Sequence, residues 1–228
     1  MKINRLHEWD VSVAQAKEIQ LGLAERVVTD FGFVDPVLIA GVDISASRVG
    51  GQARAAVVVL SYPELKTVEV GIAEGEISFP YVPGLLSFRE GPLILAACEK
   101  LMKDPDLVMV DGQGIAHPRR LGLAAHVGLF LDRPAIGCAK SILCGRHESL
   151  GDDPGSSAEL VDRGEPIGAA LRTRHGVRPI YVSVGHKIDL ASALRSVLEC
   201  CRGYRLPEPT RLAHKAASGR VFLDGAWT

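Results

Sequence analysis

Two acids in this chain stand where apolar side chains are expected. Asp43 interrupts the run Gly41-Val42-Asp43-Ile44, and Asp111 closes the wholly apolar stretch Leu107-Val108-Met109-Val110. A carboxylate among apolar neighbours is costly unless something neutralises it, and two side by side repel each other. A divalent cation between them answers both problems. Each acid also has a plainer use, since Asp43 can cap a turn and Asp111 can begin one. Glu90, in Ser87-Phe88-Arg89-Glu90, is a third candidate, and three carboxylates from separate elements suit Mg²⁺, a hard cation that keeps several waters. The same Glu90 fits a capping box with Ser87. His214, in Ala213-His214-Lys215, is either a fourth ligand, an acid/base group or a surface histidine. His117 stands beside Arg119 and Arg120, side chains suited to holding phosphates.

The elements that must carry these residues can be read from periodicity. Ala16, Ile19, Leu23 and Val27 make one helical stripe, and Ser12 with Gln15 forms a candidate capping box at its start. Three strand-like runs follow, Val37–Ile44, Ala53–Leu60 and Thr67–Ala73. Short links at Val49-Gly50-Gly51 and Tyr62-Pro63-Glu64 favour an antiparallel meander. The proline-framed segment Phe79–Gly84 predicts a stiff, exposed loop. A helix is expected over Pro92–Met102, a buried strand over Leu107–Val110, a helix over Leu121–Leu131 and another buried strand over Ala135–Ala139. Beyond a Gly/Ser/Asp-rich loop at 151–157, strands are expected at Ala158–Val161, Ile167–Leu171 and Ile180–Val184. Helices near Leu190–Cys201 and Thr210–Ala217 close the order. Strands followed by alternating helices and strands predict an α/β fold, a mixed central β-sheet flanked by helices, in one domain over 1–228. The order is similar to that of ribonuclease H-like domains.

Several stretches are more specific. Phe79-Pro80-Tyr81-Val82-Pro83-Gly84-Leu85-Leu86-Ser87-Phe88-Arg89-Glu90 resembles the hallmark of the endonuclease V family, as does Asp111-Gly112-Gln113-Gly114-Ile115-Ala116-His117-Pro118-Arg119-Arg120-Leu121-Gly122-Leu123-Ala124. Shorter matches at Pro134–Lys140 and Val184–Ile188 occur in the expected order, with Gly41-Val42-Asp43 before them and His214 after. The resemblance implies a ribonuclease H-like fold and hydrolysis dependent on Mg²⁺, with Mn²⁺ as substitute. It implies cleavage of DNA containing deoxyinosine, whose base is hypoxanthine, at the second phosphodiester bond on the 3′ side. That cut leaves a 3′-hydroxyl and a 5′-phosphate, and some family members also cut RNA containing inosine.

Carried over by motif, Asp43, Glu90 and Asp111 hold metal, His214 stands close to it, and Lys140 positions water or phosphate. Pro80-Tyr81-Val82-Pro83 is the implied wedge: prolines pre-order it and a tyrosine face can stack where a base has left. The flipped base would enter a pocket walled by Gly84, Leu86, Gly112 and Gly122, where glycines let it approach the backbone. Those glycines serve equally as turn and packing residues. His117 and Arg119 complete the implied substrate contacts. Cys138 departs from the branched apolar residue expected there, and Ser141-Ile142-Leu143-Cys144 matches loosely, which blurs the pocket edge.

Composition bounds these readings. The chain has 228 residues, 47% hydrophobic and 23% charged, a balance for a folded core. The five cysteines are scattered and odd in number, which suits neither a disulfide framework nor a zinc set. No long apolar run opens or crosses the chain, which predicts a cytoplasmic protein with no membrane partner and a monomer as its working state. The net charge of −1 hides an asymmetry: residues 1–100 carry 9 basic and 13 acidic side chains, and residues 101–228 carry 17 and 14. Local basic stretches can follow a phosphate backbone while the whole stays neutral. Two alternatives remain: another ribonuclease H-like metal nuclease, of resolvase or excision-repair type, and a non-catalytic nucleic-acid-binding protein. The wedge loop argues against the first, and three retained carboxylates argue against the second.

Overall fold

The computed structural model describes residues 1–32, 35–46 and 51–220, together with the backbone of 222–223 and 226–227. The expected turn at Val49-Gly50 lies outside the described residues. Three long strands, β1 (Leu38–Ala46), β2 (Gly51–Ser61) and β3 (Thr67–Ile77), form the expected antiparallel meander. Short apolar strands β4 (Leu107–Val110) and β5 (Ala135–Ala139) join β1 in parallel. The strands β6 (Ser157–Asp162), β7 (Glu165–Leu171) and β8 (Ile180–His186) finish the sheet. The eight strands run in the order β3-β2-β1-β4-β5-β8-β7-β6, a mixed sheet. Two-residue strands β9 (Phe222–Leu223) and β10 (Ala226–Trp227), which the residue pattern did not suggest, pair with each other.

Helices cover both faces, as a sheet with apolar central strands requires. These are α1 (Val13–Ala24), α2 (Leu86–Glu99), α3 (Leu123–Leu131), α4 (Leu190–Glu199) and α5 (Glu208–Ala217). Strand alternation sorts the core into two layers. Ile39, Leu107, Met109 and Ile136 pack with Val197 of α4 and Leu212 and Ala213 of α5. Their neighbours Ala40, Val42, Val108 and Val110 pack with Ile94 of α2 and Val127 of α3. The same period of two puts Asp43 and Asp111 on the α5 side, in step with Ile39 and Met109.

The capping box of α1 forms, with Ser12 accepting from the Gln15 backbone and the Gln15 side chain reaching back. At α2 the sequence reading is corrected. The helix starts at Leu86, well before Pro92, which sits inside it. There the proline ring removes only the one bond to the carbonyl four residues back. Ser87 is therefore helical and caps nothing; its Oγ meets His126 Nδ1 at 2.9 Å. Glu90 is thus free of the capping role that would have explained it away. Among the described residues no helix is long and apolar enough to cross a membrane.

Candidate active site

Adjacent parallel strands bring the two expected acids together. Val42 of β1 pairs with Val110 of β4, and the Asp111 N–H donates to the Val42 carbonyl at 3.0 Å. Asp43, inside β1, and Asp111, just past the carboxyl end of β4, therefore stand side by side on neighbouring strands. α5 must come close to β1 to join them, and Gly41 permits it: a Cβ there would fall 1.8 Å from the Pro209 carbonyl oxygen. That approach seats His214 Nδ1 2.7 Å from Asp43 Oδ2. Asp43, Asp111 and His214 each offer a ligand atom, and all three atoms lie within 4.8 Å of one another.

Glu90 is outside that tight trio but within reach of its charge. Burial first, then Asp43 and, more weakly, Asp111 push its carboxyl up to about 8, against the pull of Arg89. Burial and the charge of Asp111 also raise Asp43, opposed by His214 and by the Ile44 N–H that bonds its other oxygen at 2.8 Å. Lys140, 42% exposed at the end of β5, forms an ion pair with Asp111 Oδ2. Two acids held above their ordinary range, by burial first and by neighbouring carboxylate charge second, are a site short of positive charge. Carboxylate oxygens with an imidazole at the edge are a donor set that fits a hard divalent cation.

A cavity of about 320 Å³ opens directly against this cluster, sharing Asp111 and Lys140 with it. Gly84, Leu86, Gly112 and Gly122, the expected pocket residues, line it together with His117, Tyr81, Val82 and Pro83. Pro80 stands exposed at the start of the same loop, and Tyr81 is 49% exposed at the rim. Gly122 is required there, because a Cβ would meet the Gln113 carbonyl oxygen at 2.4 Å.

His117, Arg119 and Arg120, expected beside phosphates, are turned toward groups of the protein itself. His117 is 2% exposed; its Nδ1 accepts the Arg119 backbone N–H at 3.1 Å, so Nε2 carries the proton toward the Gly84 carbonyl at 2.9 Å. Burial and the neighbouring Arg119 push its pKa down to about 4, so the ring is neutral and adds no charge. Arg119 spends its guanidinium on Gln20 Oε1 at 2.6 Å and the Gly84 carbonyl at 2.7 Å. Arg120 is held by Asp162 and Glu165, each at 2.9 Å. Of the three, His117 lines the cavity, while Arg119 braces it through Gln20 and Gly84 and Arg120 is tied to the β6–β7 hairpin.

The lining also includes Gln20, Ser87, Gln113, Leu123 and Ala139, which the sequence reading did not place there, and Ser141, Ile142 and Leu143 of the loosely matched pocket edge. Gln113 donates to the Ser141 carbonyl at 2.8 Å and keeps Oε1 buried without a hydrogen-bond partner. Gln20 carried a readable signal of its own, a polar residue on the buried stripe Ala16, Gln20, Leu23.

Comparison with known proteins gives the same direction. The model of the endonuclease V family matches residues 22–215. Endonuclease V of Dehalococcoides mccartyi is 53% identical, covering 96% of this chain and 98% of its own. That of Trichormus variabilis is 53% identical over 96% of this chain and 100% of its own. Among solved structures, Streptomyces avermitilis endonuclease V superposes with a TM-score of 0.88 at 41% identity, covering 95% of each chain. Ciona intestinalis endonuclease V, solved with a 23mer DNA containing an inosine followed by a ribo-adenosine, superposes at 0.76 with 28% identity, covering 90% of this chain and 95% of its own. With nearly the whole chain matched and the acid cluster, proline-framed loop and cavity assembled in one cleft, this chain belongs to the endonuclease V family.

Proposed function

We propose that this chain is a DNA repair endonuclease that cuts the second phosphodiester bond 3′ to deoxyinosine, leaving a 3′-hydroxyl and a 5′-phosphate. One observation carries the reading: the cavity sized for a small flat ligand and the acid cluster share Asp111 and Lys140. A base flipped into the cavity would therefore hold its own strand against the acids. Tyr81 at the rim fills the gap left in the stack, and Leu86, Gly112 and Gly122 face the base.

Asp43, Glu90 and Asp111 would hold the cation, Mg²⁺ with Mn²⁺ as substitute. Once bound it supplies charge stabilisation for the phosphate and an activated water. His214 orients the Asp43 carboxylate and, with its ring half exposed, moves a proton at Nε2. Lys140 shifts between Asp111 and the incoming phosphate. The enzyme works as a monomer in the cytoplasm on this reading. A second reading is favoured by the relative's bound strand, which carries a ribo-adenosine after its inosine: cleavage of inosine-containing RNA by the same site.

Asp111→Asn tests the proposal, because it removes a ligand charge while keeping size. Cleavage of a deoxyinosine strand should be abolished at saturating Mg²⁺, with the fold intact by thermal melting. Cleavage retained at the wild-type rate would remove Asp111 from the site.

A further inference from the structure

Outside the metal cluster, the most completely bonded polar side chain at the cleft is one that does no chemistry. Gln20 projects from α1 and is 1% exposed. Its Nε2 donates to the Gly84 carbonyl at 3.0 Å and to the Leu121 carbonyl at 3.0 Å. Its Oε1 accepts from Arg119 Nε at 2.6 Å. Two carbonyls both demand the NH₂ end, so the amide has one orientation only.

Those two carbonyls belong to separate segments that each lead into the cavity lining. Gly84 ends the wedge loop, and Leu121 leads into Gly122, which needs its backbone close to Gln113. Arg119 and His117 add further donors to the same Gly84 oxygen, at 2.7 and 2.9 Å. One buried amide nitrogen thus ties the two segments together from behind, holding both carbonyl oxygens within hydrogen-bond reach of a single atom.

We propose that Gln20 is a positioning residue that sets the width of the base slot and through it the selectivity for the flipped base. The proposal rests on the base-slot reading of the cavity. Gln20 acts through Gly84 and Leu121; it touches neither the phosphate nor the acids. Without its two N–H donors, the Leu121 carbonyl loses its side-chain partner and the Gly84 carbonyl is left to His117 and Arg119, so the spacing loosens at the Leu121 side. A wider slot holds hypoxanthine less well against the backbone and discriminates less against other bases.

The test uses the full chain with Gln20→Met, which keeps the length without hydrogen bonds. Gln20→Glu is the second variant; it keeps the Arg119 partner but turns both carbonyl contacts repulsive. The kcat/KM is measured on strands carrying one hypoxanthine, one uracil or a normal adenine, with the Mg²⁺ concentration at half-maximal rate taken for each protein. Expected is at least a tenfold fall in the hypoxanthine-to-adenine and hypoxanthine-to-uracil ratios for either variant that folds, with the Mg²⁺ requirement unchanged. Ratios kept at wild-type values, whatever the absolute rate, would reduce Gln20 to a structural residue and overturn the proposal. A wild-type protein that fails to prefer hypoxanthine over adenine would instead defeat the base-slot reading itself.

Discussion

Tyr81 separates a base-probing enzyme from any nuclease that merely shares the acids. Its ring stands at the cavity rim on a loop framed by Pro80 and Pro83, and the start of that loop is held by Arg89, which donates to the Phe79 carbonyl at 2.7 Å. With a pinned loop, little order has to be gained when the ring enters a strand. Base–aromatic stacking contributes about 1–3 kcal/mol. Tyr81→Ala should therefore lower the cleavage preference for hypoxanthine over adenine roughly tenfold or more, while metal titration and melting stay near wild type. Tyr81→Phe should keep most of the preference. An unchanged preference in Tyr81→Ala would sink the wedge and leave the acid cluster standing.

At the scale of elements, the residue pattern located most of the fold. Strands β4 and β5 were legible to the residue because four or five consecutive apolar residues have no other use in a sheet covered on both faces. The start of α2 was not, since Pro92 reads as a helix opening and Ser87 with Glu90 mimics a cap. Local chemistry could not reveal that Ser87 is claimed by His126, 39 residues away. The site was legible in the same uneven way. Acids in apolar strands announce themselves by their cost, and the wedge by its prolines. The work of His117 and Arg119 did not, because a basic motif looks alike whether it meets phosphate or the carbonyl of a distant loop.

For the whole molecule, the acids make stability depend on pH. The folded chain holds Glu90 up to about 8 and raises Asp43 as well. Between the ordinary carboxylate range and about pH 8, the folded state thus binds protons that the unfolded state has released, so stability falls as pH rises through that window. Below the unfolded pKa the contribution is fully present. In chelated protein, melting temperature should drop between about pH 5 and pH 8, with a loss on the order of 3 kcal/mol. Mg²⁺ should flatten the slope by replacing the protons, and Glu90→Gln should remove most of it. A chelated protein whose melting ignores pH over this range would contradict the buried, acid-crowded setting on which the cation site rests.

The central claim is that one cleft reads a base and cuts its strand. The direct measurement is product mapping on an end-labelled strand with a single deoxyinosine, beside an identical strand with adenine, in Mg²⁺ and in chelator. The account predicts one cut, at the second phosphodiester on the 3′ side of deoxyinosine, absent from the adenine strand and from the chelated reaction. Equal cutting of both strands, or cutting that survives chelation, would contradict it.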